Sequence, residues 1–219
     1  MGRLARVVAV DVPHHLTQRG NDRRFILDCD ADRATYLSSL RENIEVYRVS
    51  VIGYCLMSNH VHLVVVPSRA DGLAQALKQT HGRYASYWHT VHRASGHVWQ
   101  GRYYSCPLDE PHLWEALRYT ELNPLRARLV LQPWSWPWSS AAGHCGTQPT
   151  DEWLSLERWR AHWTTRNGIA ACRHSPAHAY RSTMGKCRIR PWLGEDNAAA
   201  LGTTKTRTPR KNRYGSKPT

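Results

Sequence analysis

The chain has 219 residues, of which 41% are hydrophobic, so it is long and apolar enough for one sizeable domain with its own core. Its formal net charge of +13 favours a polyanionic partner, nucleic acid before any other. The six cysteines form no Cys-x-x-Cys pair, which argues against a zinc ribbon, and no apolar run is long enough to span a membrane. We therefore expect a reduced, cytoplasmic protein that does not contact membranes.

Apolar periodicity and turn residues predict seven elements in the order β-α-β-β-α-β-α. The predicted extended segments are 6–20, 49–56, 60–66 and 96–105, and the predicted helices are 30–47, 72–92 and 109 to about 123. This order predicts an α+β fold of the ferredoxin-like sandwich type, an antiparallel sheet with helices packed on one face.

The C-terminal part of the chain differs from the rest in charge. A short helix is predicted over 154–163, and the apolar periodicity stops after about residue 173. Residues 173–219 carry eleven of the 30 basic residues but only two of the 17 acidic ones. Such a basic C-terminal extension is either a solvated, poorly ordered end or a non-specific grip on DNA or RNA, and the two interpretations are compatible.

His60 and His62 lie inside an apolar run that is typical of a strand. Side chains alternate along a strand, so these two imidazoles point to the same face. A pair of neutral imidazoles forms half of a metal site, although a lone His-x-His is weak evidence by itself.

Tyr119 and Asn123 lie one turn apart on the third predicted helix. Their pattern alone fits an exposed polar face, with Leu113 and Leu117 towards the core. However, a tyrosine can attack a phosphodiester if a metal polarises the phosphate, although the unperturbed phenol has a pKa of about 10. Two strand histidines, an amide and a tyrosine would form a coherent site if the helix packs beside the strand.

Four blocks of sequence carry a specific resemblance. They are HHLTQRGN at residues 14–21, YCLMSNHVH at 54–62, WQGRYYS at 99–105 and LRYTELNPLRA at 117–127. In this order and spacing the chain resembles the single-tyrosine HUH transposases (Y1, IS200-like), and among them the REP-associated tyrosine transposases. The resemblance covers roughly residues 5 to 145.

The resemblance implies a metal-dependent endonuclease and strand transferase that acts on single-stranded hairpin DNA through a 5′-phosphotyrosine. It implies that Tyr119 is the nucleophile, that His60 and His62 bind Mg²⁺ or Mn²⁺, and that Asn123 is the third ligand. Asn123 stands where many relatives carry Gln, which is one methylene longer. We expect a catalytic domain over 1–145, where the resemblance lies, and a helical extension over 146–172. The charge and the lost periodicity predict a basic, poorly ordered tail over 173–219. The resemblance also implies a nucleoid-associated monomer or homodimer.

Eight polar and basic side chains are candidates for contacts with nucleic acid. They are Thr17, Gln18, Arg19, Asn21, Arg102, Arg118, Arg126 and Arg128. Each has a structural alternative. Thr17, Gln18, Arg19 and Asn21 could simply form the polar end of a strand. The four later arginines could form ion pairs or a solvated surface.

Two other functions remain open at this stage. The chain could be a catalytically degenerate relative that binds hairpin DNA or RNA without cutting it, which intact His60, His62 and Tyr119 disfavour. It could instead be a metallo-hydrolase that activates water, which the lack of an accompanying Asp or Glu at ligand spacing disfavours.

Overall fold

The computed structural model describes residues 8–164. Its centre is a four-stranded sheet in the order β2-β3-β1-β4, and every neighbouring pair is antiparallel. The strands are β1 His14–Arg19, β2 Val49–Leu56, β3 His60–Pro67 and β4 Tyr104–Pro107. The α+β class and the antiparallel sheet predicted from the sequence are confirmed.

The helices follow the predicted order. They are α1 Asp30–Val46, α2 Gly72–His92, α3 Glu110–Glu121, α4 Asn123–Arg126, α5 Ala141–His144 and α6 Glu157–Thr164. On one face of the sheet, α1 and α2 share the main core with residues such as Leu16, Leu63 and Val65, which are each at most 2% exposed.

Helix α3 packs on the other face of the sheet, which corrects the expectation of helices on one face only. Its apolar residues Leu113 and Leu117 form a second buried cluster with Ile52 of β2 and Val64 of β3. The strands here are buried on both sides, and β3 reads as a continuous apolar run rather than an alternating one. This continuous run is the sequence signal that both faces of β3 are covered, and the prediction from the order of the elements alone did not use it.

Gly53 allows α3 to approach the sheet closely. The pairing of β2 with β3 shifts register between Val51 and Gly53, as in a β-bulge. A Cβ atom at Gly53 would lie 2.2 Å from Leu117 Cδ1, closer than real contacts allow, and 3.0 Å from Ser140 Oγ, which is tighter than most real contacts. The missing side chain is thus a condition for the position of α3 and of Tyr119 on it.

Several predicted boundaries were wrong. Within the described part of the segment predicted over 6–20, the strand β1 covers only His14–Arg19. The strand predicted over 96–105 begins only at Tyr104 and continues to Pro107, and the last helix begins at Glu157 rather than Leu154. Helix α3 ends at Glu121 instead of about 123, because Pro124 has no N–H to continue its hydrogen bonds, and Pro124 instead lies in the first turn of α4. The basic tail over 173–219 lies outside the described residues, and the divisions at 145 and 172 stay predictions.

Candidate active site

Strand β3 holds His60 and His62 on the face of the sheet that α3 covers. Both side chains are buried, at 4% and 0% exposure, and their ring centroids are 4.8 Å apart. Burial, with a smaller effect of the Arg19 guanidinium, lowers the pKa of His60 to about 3, and burial with neighbouring positive groups also holds the pKa of His62 well below its usual range. Both imidazoles are therefore neutral near pH 7, the state that binds a metal.

Strand β1 adds three more side chains to this face. Thr17 pairs with His62, and Arg19 pairs with His60, so these side chains project on the same side of the sheet. His15 is the third, and its Nε2 atom lies 3.2 Å from Nδ1 of His62. The two rings are parallel within 1°, with centroids 5.4 Å apart.

Helix α3 brings Tyr119 to the histidines. The Tyr119 ring centroid is 5.6 Å from that of His62 and 6.1 Å from that of His15, with edge-to-face geometry in both pairs. Tyr119 is 8% exposed, and this burial raises the pKa of its phenol. The nearby Arg126 and Arg19 guanidiniums and the Asn123 side chain oppose that rise.

The short helix α4 places a cation over the tyrosine. The guanidinium carbon of Arg126 is 4.7 Å from the centre of the Tyr119 ring. Asn123, the first residue of α4, follows α3 after a single residue, Leu122, and its side chain lies near the phenol. Tyr119, Asn123 and Arg126 thus meet the two strands at one place, where the positive charges of Arg19 and Arg126 would attract a phosphate.

Two ring nitrogens of this cluster are suited to a metal ion. Nε2 of His60 and Nε2 of His62 are buried and have no hydrogen-bond partner among the described residues. Buried polar atoms without a partner are uncommon, and two imidazole nitrogens beside a carboxamide, whose oxygen is a metal ligand, fit a divalent cation. Within residues 8–164, no group of three or more His, Cys, Asp or Glu side chains could hold a metal. An amide, water or substrate oxygen would have to complete the ligand set.

The other candidate residues for nucleic acid lie in different places. Gln18 faces the opposite side of β1 from Thr17, is 4% exposed, and donates a hydrogen bond to the Gly101 carbonyl. Asn21 lies in the turn after β1, where its backbone N–H donates to the Val98 carbonyl. The exposed Arg102 lies between α2 and β4, Arg118 lies half-buried on α3, and Arg128 is exposed beyond α4.

Sequence reasoning missed His15 as a member of this cluster. The alternation along β1 carried a signal, because Leu16 belongs in the main core and its neighbour must therefore face the other way. What the sequence did not reveal was the register of β1 against β3, which pairs His15 with Val64 and so puts it diagonal to His62. Asn59, whose carboxamide oxygen lies 2.5 Å from Nδ1 of His60, was also missed.

A protein-family model matches this chain over the region of the site. The model of the family described as "Transposase IS200 like" matches residues 9–123, just over half of the sequence. The chain belongs to this family. Membership in the IS200-like transposases makes it a DNA-processing protein, and the matched region contains both histidines, the tyrosine and Asn123.

Solved structures support the fold. A REP-associated tyrosine transposase bound to a REP hairpin is similar with a TM-score of 0.54 and 15% identity, over 72% of this chain and 96% of that one. A transposase-like protein from Deinococcus radiodurans R1 matches 54% of this chain and 95% of its own, with 17% identity and a TM-score of 0.38, too low to carry an argument. No curated protein shows significant similarity to the chain.

Between residues 8 and 164, no helix is both long and apolar enough to cross a membrane.

Proposed function

We propose that this IS200-like transposase cleaves and rejoins single-stranded hairpin DNA of the REP type through a covalent bond between Tyr119 and a 5′-phosphate. The observation that carries the proposal is the meeting of the Tyr119 ring with two neutral histidines whose Nε2 atoms are buried and unpartnered. The hairpin as substrate is carried over from the structural neighbour, which was solved with a REP hairpin.

In the proposed reaction the Tyr119 oxygen attacks the phosphorus of the scissile phosphodiester. A bond forms between this oxygen and phosphorus, and the bond from phosphorus to the 3′ oxygen breaks. The phenol loses its proton and the 3′ oxygen takes up one, so that it leaves as a hydroxyl and no net proton is gained or lost. The number of phosphodiester-type bonds is unchanged, so the 3′-hydroxyl of the same or another strand can attack the phosphotyrosine and rejoin the DNA.

His60, His62 and Asn123 are the proposed ligands of a Mg²⁺ or Mn²⁺ ion. When bound, the ion would polarise the phosphate and stabilise the charge that develops in the transition state. Arg19 and Arg126 contribute positive charge near Tyr119, and this charge holds the phosphate near the phenol. Burial by α3 and α4 restricts water at Tyr119, which favours rejoining over hydrolysis.

The remaining polar candidates bind the DNA outside the reacting phosphate in this proposal. Thr17 lies beside His62, where its hydroxyl suits a contact to the strand end, and Arg102, Arg118 and Arg128 suit phosphates further along. Gln18 and Asn21 lie where β1 ends, next to the Trp99–Gly101 segment. Such an enzyme would work in the cytoplasm on chromosomal DNA, as a monomer or homodimer.

The test uses 5′- and 3′-labelled hairpin oligonucleotides with Mg²⁺ or Mn²⁺, run on a denaturing protein gel. We expect a labelled band of protein size that carries the label on the 3′ side of the cut and is lost in Tyr119→Phe and with chelator. Tyr47→Phe is the matched control, since this partly buried tyrosine packs at the end of α1 and lies outside the site. Hairpin binding without a covalent band would support the degenerate DNA-binding relative, and cutting that survives Tyr119→Phe would support the metallo-hydrolase.

A further inference from the structure

Both histidines of the proposed metal site have their second ring nitrogen occupied. Nδ1 of His60 lies 2.5 Å from the carboxamide oxygen of Asn59, and Nδ1 of His62 lies 3.2 Å from Nε2 of His15. On each ring the Nε2 atom is the one left without a partner. A neutral histidine that binds metal through Nε2 must carry its proton on Nδ1, and the acceptor of that proton fixes the tautomer and the orientation of the ring.

Asn59 supplies such an acceptor to His60. A carboxamide oxygen only accepts hydrogen bonds, so this contact requires the proton of His60 to be on Nδ1. The turn that contains Asn59 is held against β1, because the Asn59 backbone carbonyl accepts a 2.8 Å hydrogen bond from the Gly20 N–H. The tautomer of His60 is therefore determined by the protein alone.

For His62 the tautomer depends on His15, because an imidazole nitrogen can either donate or accept. If Nε2 of His15 accepts, the proton of His62 is on Nδ1 and its Nε2 lone pair is available to a metal. If Nε2 of His15 donates, the proton of His62 moves to Nε2 and the ring cannot bind metal there. His15 is 2% exposed and its ring is parallel to that of His62, so water does not replace it as a partner.

We propose that His15 is a positioning residue that holds His62 in the metal-binding tautomer by accepting the hydrogen bond of its Nδ1–H. His15 is then itself protonated at Nδ1, a buried atom that has no hydrogen-bond partner among the described residues. This inference rests on the proposed binding of metal by His60 and His62. His15 acts through His62 and has no contact with the phosphate in this account.

The test reads the tautomers directly by two-dimensional NMR of protein labelled with ¹⁵N at histidine, at pH 7.5, without metal and with Mg²⁺. We expect the proton on Nδ1 in His15, His60 and His62. Mn²⁺ affinity is then measured by electron paramagnetic resonance for the wild type, His15→Phe and His15→Gln. Loss of a partner that orients a metal ligand typically weakens affinity about 10- to 100-fold, so we expect this loss in His15→Phe.

His15→Gln should recover most of the affinity, because its carboxamide oxygen can accept from Nδ1 of His62. His81→Phe is the matched control. Nε2 of this histidine is hydrogen-bonded to the Tyr36 hydroxyl, and His81 lies on α2, on the other face of the sheet. It should bind Mn²⁺ like the wild type. Circular dichroism checks that each variant folds. If His15→Phe fails to fold, the NMR measurement on the wild type still shows which nitrogen of His62 carries the proton.

Two results would overturn the inference: a proton on Nε2 of His62 in the wild type, or unchanged Mn²⁺ affinity in folded His15→Phe. Failure of the wild type to bind Mn²⁺ would have a different meaning. It would contradict the metal site of the proposed function, while the tautomer of His62 would still support or refute the role of His15.

Discussion

Gly53→Ala tests whether the contact between α3 and the sheet sets the position of Tyr119. The new Cβ would lie 2.2 Å from Leu117 Cδ1, whereas two carbon atoms in contact normally stay roughly 3.5 to 4.0 Å apart. Either the leucine or the helix must therefore move by roughly 1.5 Å. Leu117 is 3% exposed and packed against Ile52, Val64 and Leu113, which leaves its side chain little room to turn away.

Two effects of Gly53→Ala are expected. Overpacking of this kind costs about 1 to 3 kcal/mol, which urea denaturation measures as a lower free energy of unfolding. A shift of α3 moves Tyr119 relative to His62, and a misplacement of about 1 Å can lower a rate roughly 100-fold. We therefore expect covalent capture of a hairpin to fall by one to two orders of magnitude, more than the loss of folded protein explains.

Two further variants make this prediction specific. Gly82→Ala, in an exposed turn of α2 where a Cβ would meet nothing within 4 Å, should stabilise the protein by about 0.5 to 1 kcal/mol and leave capture unchanged. Leu117→Ala frees the space that the new methyl group needs, so the double variant with Gly53→Ala should be less destabilised than the sum of the two single changes. Gly53→Ala with full stability and full capture would refute the reasoning.

Three further predictions concern stability. Glu121→Ala removes the buried acceptor of the Ser140 hydroxyl and of Nδ1 of His144, and should lower the free energy of unfolding by about 3 kcal/mol. Burial lowers the pKa of His81 to about 3, whereas the unfolded chain has the ordinary value of about 6.5. Between about pH 3 and pH 6.5, unfolding is therefore accompanied by protonation of His81. Stability should therefore fall as the pH drops below about 6.5, and His81→Phe should remove about 1.4 kcal/mol per pH unit of that slope. Asp109→Ala removes the cap that accepts from the His112 N–H, and should cost about 1 kcal/mol by denaturation.

Each of these predictions has a control or a contradicting result. Arg83→Gln breaks only the exposed pair with Glu42 and should cost under about 1 kcal/mol, so an equally small effect of Glu121→Ala would contradict the importance of the buried network. If the free energy of unfolding of His81→Phe depends on pH as that of the wild type does, His81 has the same protonation in the folded and the unfolded wild type. Asp109→Asn should keep the cap, and a loss as large as that of Asp109→Ala would mean that the side-chain oxygen is not the stabilising group.

Local pattern was sufficient for the elements that repeat regularly. Helix α2 has the predicted bounds, and α1 is one residue shorter at its end, because their apolar residues recur at three and four over several turns. The same-face placement of His60 and His62 follows from the period of a strand and also agrees with the structure.

Long-range packing decided what the sequence did not reveal. Whether Tyr119 meets the histidines depends on the face that α3 covers, and this depends on Gly53, which is more than sixty residues away along the chain. The place of His15 depends on the register of β1 against β3, and no local spacing encodes that register. Glu121 lies close to Tyr119 in sequence, but its side chain pairs with Ser140 and His144 through long-range packing.

The central claim is that Tyr119 itself attacks the phosphodiester, and mass spectrometry of the covalent product tests it most directly. After a reaction with hairpin DNA and Mg²⁺, nuclease and trypsin digestion would release the peptide 119–126, which follows Arg118 and contains one tyrosine. The account predicts this peptide with a nucleotide attached through its 5′-phosphate to the Tyr119 oxygen. Cleaved DNA with a free 5′-phosphate and an unmodified 119–126 peptide would contradict it, because water would then be the nucleophile.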